Sequence, residues 1–226
     1  MADIIFKSFV LKLAGIYSSS TITNYIAAVK AWHVVHGVAW GAEGLELNAI
    51  IKGAKHMAPR TSKRRKRAPI TVEYIEKVSA HLSDRVPLDV AVFACLTSAF
   101  WSTVRLGELT VRNLSAFNPE AHVKRSDVGE KVDQNGFKMT TIHIPKTKAN
   151  YMEGEDLYWA KQKGPSDPES ALQRHLEINN PDADFHLFGY PDKEGAMIPL
   201  TKKTFLKRLS DAAAAARLPR MPGHSI

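Results

Sequence analysis

Residues 87–101 read PLDVAVFACLTSAFW, and STVRLGELT follows at once at 102–110. From Val86 to Trp101 the chain is apolar on nearly every helical face, which predicts a buried core helix. The run is too short to span a bilayer and contains Asp89, so a membrane span is not expected. Upstream, ITVEYIEKVSAHLSD (70–84) has the signs of a helix start. Thr71 can cap, Glu73 suits the first turn, and Ile70 can staple onto Ile75. Downstream the pattern changes to two short strands, HVKRSD (122–127) and FKMTTIHIP (137–145), with a turn around DQNG (133–136). Asn135-Gly136 is a hairpin signal. LYWA (157–160) is a candidate third strand, Asp167-Pro168 opens a helix with Pro at its first position, and a last helix runs from Thr201 to Leu218.

Ahead of Pro59 the pattern is helical in MADIIFKSFVLKLAG, in SSSTITNYIAAVKAWHVVHG with Gly37 as a stop, and in LELNAIIKGAKHM. The N-terminus carries Asp3, Lys7 and Lys12 among its apolar residues, an amphipathic helix more than a signal peptide. The fold class expected is α+β and mostly helical: a small N-terminal helical bundle, then a larger domain of helices with a small antiparallel sheet.

The 226 residues are 44% apolar and 24% charged, an ordinary soluble composition. One cysteine, Cys95, excludes an intrachain disulfide and a Cys-based zinc site and fits a reducing compartment. The net charge is 31 basic minus 23 acidic residues, or +8. Its location is informative. Lys52, Lys55, Arg60, Lys63, Arg64, Arg65, Lys66 and Arg67 follow one another with no acid among them and equal the whole excess. The segment PRTSKRRKRAP (59–69) repels itself and has little to bury, so an extended, solvated linker is expected. Two meanings are open for it: contact with nucleic acid, or a solvated charge run serving as a nuclear localisation signal.

Three further features carry possible chemistry. Arg105 follows the core helix at a turn with Glu108 three residues on; it is either a rigidly placed anion-binding group or one half of a surface ion pair. Lys146 and Lys148, in IHIPKTKAN, sit just beyond a strand, as proton donors on a hairpin or as a solvated turn. His224 follows Pro222-Gly223 near residue 226, as a site group or a surface histidine. His33 and His36 lack neighbouring acids or cysteines for a metal, and there is no Gly-rich phosphate loop and no Ser-His-Asp arrangement.

In this order, RLGEL at 105–109, PKTK at 145–148 and GHSI at 223–226 resemble the boxes of the tyrosine recombinase and phage integrase family. The stretch HLFGYPDKEGAMIPLTKKTFLKRLSDAAAAARL resembles the segment that leads to the third box. The resemblance implies a DNA-binding helical domain at 1–58, a basic linker at 59–69 and an integrase-like catalytic domain at 70–226. It implies attack of a tyrosine oxygen on a phosphodiester, giving a 3′-phosphotyrosine and a free 5′-hydroxyl without metal, nucleotide or other cofactor. Arg105 would hold the nonbridging oxygens, Lys146 or Lys148 would protonate the leaving oxygen, His224 would assist at the phosphate, and Glu108 would orient its neighbours. Lys63, Arg64, Arg65, Lys66, Arg67, Lys148, Lys202 and Lys203 are the expected DNA contacts. The implied partner is double-stranded DNA, with self-association on it, no membrane and no small-molecule substrate, and the implied location is intracellular and DNA-associated. Thr103 stands where the family often has Gly. The family's second Arg and its nucleophile would follow Ile226, and Tyr17, Tyr25, Tyr74, Tyr151, Tyr158 and Tyr190 all precede His224. These residues are therefore expected to bind DNA without cutting it. The alternatives are a non-catalytic DNA-binding remnant and a helical interaction protein with a nuclear localisation run.

Overall fold

The computed structural model describes residues 2–42, 44–62, 69–147, 150 and 152–219. The chain divides into two compact units, 1–66 and 67–226. The first holds α1 (Ala2–Leu13), α2 (Ser19–Val35) and α3 (Leu45–His56). Ser18 caps α2, its side-chain oxygen accepting the Thr21 N–H at 3.1 Å. Phe6, Val10, Ile22, Leu47 and Ala54 form a small core, and Trp40 sets its edge against Phe6. Within the stretch expected to be extended, Arg60–Ser62 instead forms a 3-10 turn. The Pro59 carbonyl organises it by accepting from both the N–H and the hydroxyl of Ser62.

The second unit is built on α5 (Pro87–Trp101). Ten of its fifteen residues are buried, so neighbours surround the helix, as its lack of a polar face requires. Thr97 is tolerated there because its hydroxyl donates back to Phe93 O at 3.0 Å. Before it, α4 (Val72–Ser79) is capped by Thr71 and ends earlier than the sequence pattern suggests. Tight turns at His81 and Leu82 close it, and the Ser83 N–H is given to Asp89. After α5 come β1 (Val128–Val132), β2 (Lys138–Ile144) and β3 (Glu155–Ala160), then α6 (Pro168–Asn179), a short hairpin of β4 (Tyr190–Pro191) and β5 (Met197–Ile198), and α7 (Lys202–Ala215). The larger sheet is antiparallel in the order β1-β2-β3. The fold is α+β and mostly helical.

The first strand is not HVKRSD but the VGEKV that follows it. Asp127 takes the Lys124 N–H and ammonium, folding 125–127 into a 3-10 turn. Arg125 and Ser126 give their N–H groups to Phe185 and Ala183. That segment is thus committed elsewhere, and the residues flanking DQNG pair instead, Val132 opposite Lys138. Asp133 holds the turn, its carboxylate accepting the N–H groups of Asn135 and Phe137 while Gly136 adopts φ +82°. The β4–β5 turn repeats the device: Asp192 accepts from Glu194 and Ala196, and Gly195 has φ +85°. The common D-x-x-G spacing is a sequence signal for this second hairpin.

Two histidines lie in the core of this unit. His175 donates through Nε2 to Leu187 O at 2.8 Å and accepts from the Asn179 amide through Nδ1. His186 accepts the Phe188 N–H on Nδ1, and its Nε2 has no partner among the described residues. Burial pushes His175 down to about 4 and His186 down to about 3, so both are neutral at pH 7.

Candidate nucleic-acid interface

The end of α5 aims Arg105 outward. Val104 N–H returns to Ala99 O and Thr103 N–H to Phe100 O, a Schellman closure with Thr103 at φ +54° in the left-handed position. Val104 and Leu106 are buried on either side, which leaves Arg105 at the surface. Its guanidinium donates to Glu108 at 3.1 Å; the arginine side chain is 71% exposed and the glutamate 13%. Glu108 takes one nitrogen of the fork, Nη1, so it steadies the guanidinium while the exposed remainder stays available to an anion. A β-branched residue at positive φ is costly, and glycine is the usual occupant. Thr103→Gly is expected to stabilise the unit by about 1 kcal/mol, seen as a higher urea midpoint with an unchanged slope. A lower midpoint would show that the threonine side chain supports the turn.

The next residues run alongside the start of α7. Val111 N–H bonds Leu200 O at 3.1 Å and Lys202 N–H bonds Val111 O at 3.0 Å, a parallel bridge between Val111 and Thr201. This juxtaposition forms an open concavity of about 820 Å³ whose charged lining is Arg112, Lys202, Lys203, Lys207 and Asp211, with Gly107 at its wall. Four cations face one carboxylate, a local excess of +3. Thr201 caps α7, and no acid occupies the first turn. Lys202 and Lys203 there oppose the helix dipole at a cost of about 0.3–1 kcal/mol each. The same placement adds a positive helix end to two ammonium groups, an arrangement suited to phosphate. The sequence by itself does not single out Arg112 or Lys207. A signal for Lys207 is its spacing four residues after Lys203, on the face of α7 opposite the buried Phe205, Leu209 and Ala212.

Lys146 lies half-buried on the loop joining β2 to β3. That loop is pinned by Thr147, whose N–H bonds Asn150 O while its hydroxyl accepts the Asn150 N–H. Gly154 closes its neck, where a Cβ would stand 2.0 Å from Ile144 O. Directly before the loop, His143 and Asp156 face each other across the strands at 2.7 Å. Asp156 is pulled down to about 2, first by the Lys131 ammonium and then by the hydrogen bonds of His143 and Tyr158. These exposed contacts tie all three strands together. Lys63, Arg64, Arg65, Lys66, Arg67, Lys148 and His224 lie outside the described residues. Of the expected groups, the structure joins Arg105 with Glu108, and Lys202 with Lys203 around the concavity.

Among the described residues there is no group of three metal-binding side chains, and no helix is long and apolar enough to cross a membrane. No protein-family model matches the chain, and no curated protein matches it.

Proposed function

We propose that the larger unit binds duplex DNA along its phosphates through Arg112, Lys202, Lys203 and Lys207, with Arg105 presented to a phosphodiester, in the manner of the tyrosine recombinases that the sequence resembles. The observation that carries this reading is the +3 concavity at the capped end of α7, where lysines occupy a helix start whose dipole favours acids. Arginine suits the role because its planar fork matches two phosphate oxygens at once. In this reading Glu108 orients Arg105, Lys146 or Lys148 supplies a proton to a leaving oxygen, and Lys63 to Arg67 lie along the backbone. The family resemblance assigns His224 an assisting role at the phosphate. Self-association on DNA and an intracellular, DNA-associated location belong to the same proposal. The activity proposed for these residues is duplex binding.

The test is fluorescence anisotropy of a labelled 20-base-pair duplex across a salt series. Changing Arg112, Lys202, Lys203 and Lys207 together to Ser is expected to flatten the slope of log affinity against log salt. The change should be about 0.9 for each phosphate no longer neutralised, roughly 3–4 in all. An unchanged slope would remove this face from the interface.

A second reading, a helical interaction protein, has one observation in its favour. On α1, Ile5 (66% exposed) and Phe9 flank an apolar groove of about 370 Å³ that also meets His33 and Trp40. It predicts negligible duplex affinity in the same titration.

A further inference from the structure

We infer that Asp211 makes the cationic concavity selective, its carboxylate reading a cytosine in the major groove; this rests on the DNA reading. Asp211 is the acid in the lining formed with Arg112, Lys202, Lys203 and Lys207. Lys203, Lys207 and Asp211 are exposed and follow one another at four-residue spacing, so they form one row along α7. Phe205, Leu209 and Ala212 hold the opposite side of the helix in the core. Lys207 stands one turn before Asp211, yet the Asp211 carboxylate makes no hydrogen bond or ion pair among the described residues. Its charge is thus available to an incoming group. The helix dipole gives no reason for an acid there, because acids are favoured in the first turn and Asp211 lies well beyond it.

A carboxylate on a phosphate-binding wall is unfavourable, because like charges meet. It is favourable where DNA presents a hydrogen-bond donor, and the donors that distinguish bases lie in the groove rather than on the backbone. In the DNA reading the first turn of α7 lies on phosphates. Lys207 and Asp211 come one and two turns further along, roughly 6 and 12 Å beyond Lys203. A helix set against the backbone at one end and continuing into the major groove brings such turns to base edges. The choice of base follows from the acceptor. Guanine shows N7 and O6, and thymine shows O4, all of which repel a carboxylate. Adenine shows its amine beside the N7 acceptor. Cytosine shows an amine with no acceptor next to it, and aspartate accepts that bond.

Selection by the full chain from a pool of randomised DNA duplexes, followed by sequencing of the bound fraction, is the test. The wild-type pool is expected to contain one position at which cytosine exceeds every other base by at least about fivefold. Asp211→Asn should move the preference at that position to adenine, because an amide pairs with both N6 and N7. Asp211→Ala should leave that position without preference and the others unchanged. It should also raise affinity for duplexes that lack the cytosine, since a repulsive charge is gone. Tm should be unchanged in both variants, the side chain being exposed. A cytosine preference that survives in Asp211→Ala would overturn the assignment. A wild-type chain that binds duplex but enriches no motif would overturn it as well, and the DNA reading would stand. A wild-type chain without duplex affinity would overturn the DNA reading, and this inference with it.

Discussion

Arg208→Ala is expected to destabilise the larger unit by about 3–5 kcal/mol, the cost of stranding a buried charge. Asp89 lies in the first turn of α5 and is 4% exposed. Both its oxygens are engaged: Arg208 Nε meets one, and Arg208 Nη2 and the Ser83 N–H, each at 2.8 Å, meet the other. Arg208 Nη2 also donates to His81 O at 2.9 Å. One side chain of α7 thus holds both the start of α5 and the turn that leads into it. With alanine at 208, the carboxylate keeps one N–H and the field of the α5 N-terminus, which offsets about 1 kcal/mol at most positions. The double change Asp89→Leu, Arg208→Leu removes both charges and should cost far less than the single one, since pairs of this kind often trade evenly against apolar packing. Urea unfolding followed by tryptophan fluorescence measures both, Trp101 and Trp159 lying in this unit. A loss below 1 kcal/mol for Arg208→Ala, or a double variant no better than the single, would mean that the pair is solvated and structurally idle.

The second large effect is acid sensitivity between pH 6.5 and 5. His175 and His186 have folded values of about 4 and about 3, set first by burial. The Leu187 carbonyl partly opposes the shift at His175, and neighbouring histidines add to it at His186. Unfolded, each titrates near 6.5. As pH falls below 6.5 the unfolded chain takes up protons that the folded chain refuses, so stability is fully present above 6.5 and is lost on acidification. At pH 5 the loss is about 2 kcal/mol for each histidine, roughly 4 together. Carboxylates held low, such as Asp156, weaken the fold only at lower pH, as acid passes below their ordinary value. The window from 6.5 to 5 therefore isolates the histidines. Comparing urea midpoints at pH 7 and 5 gives the drop, and His186→Gln should remove about half of it. A variant with the full drop would assign the acid response to other groups.

The points at which short-range rules predominate were legible in the residues alone. Ser18, Thr71, Asp167 and Thr201 each accept an N–H within three residues, so their caps depend on little beyond neighbouring side chains. Pro168 opens α6, and the unbroken apolar run at 87–101 could be accommodated only at the centre of a core. The RLGEL turn was legible because it follows that helix directly, and the Arg105–Glu108 contact spans three residues.

Other features waited on contacts distant in sequence. HVKRSD has the composition of a strand, yet its N–H groups are taken by residues near 185, so pairing begins at Val128. Arg112 joins Lys202, Lys203 and Lys207 only because Val111 pairs with Thr201, about 90 residues away. Asp89 and Arg208, 119 positions apart, meet across α5 and α7. Caps and turns are local energies that a few residues determine. Which charges share a surface depends on how helices and strands pack, and that is decided by burial summed over the whole unit.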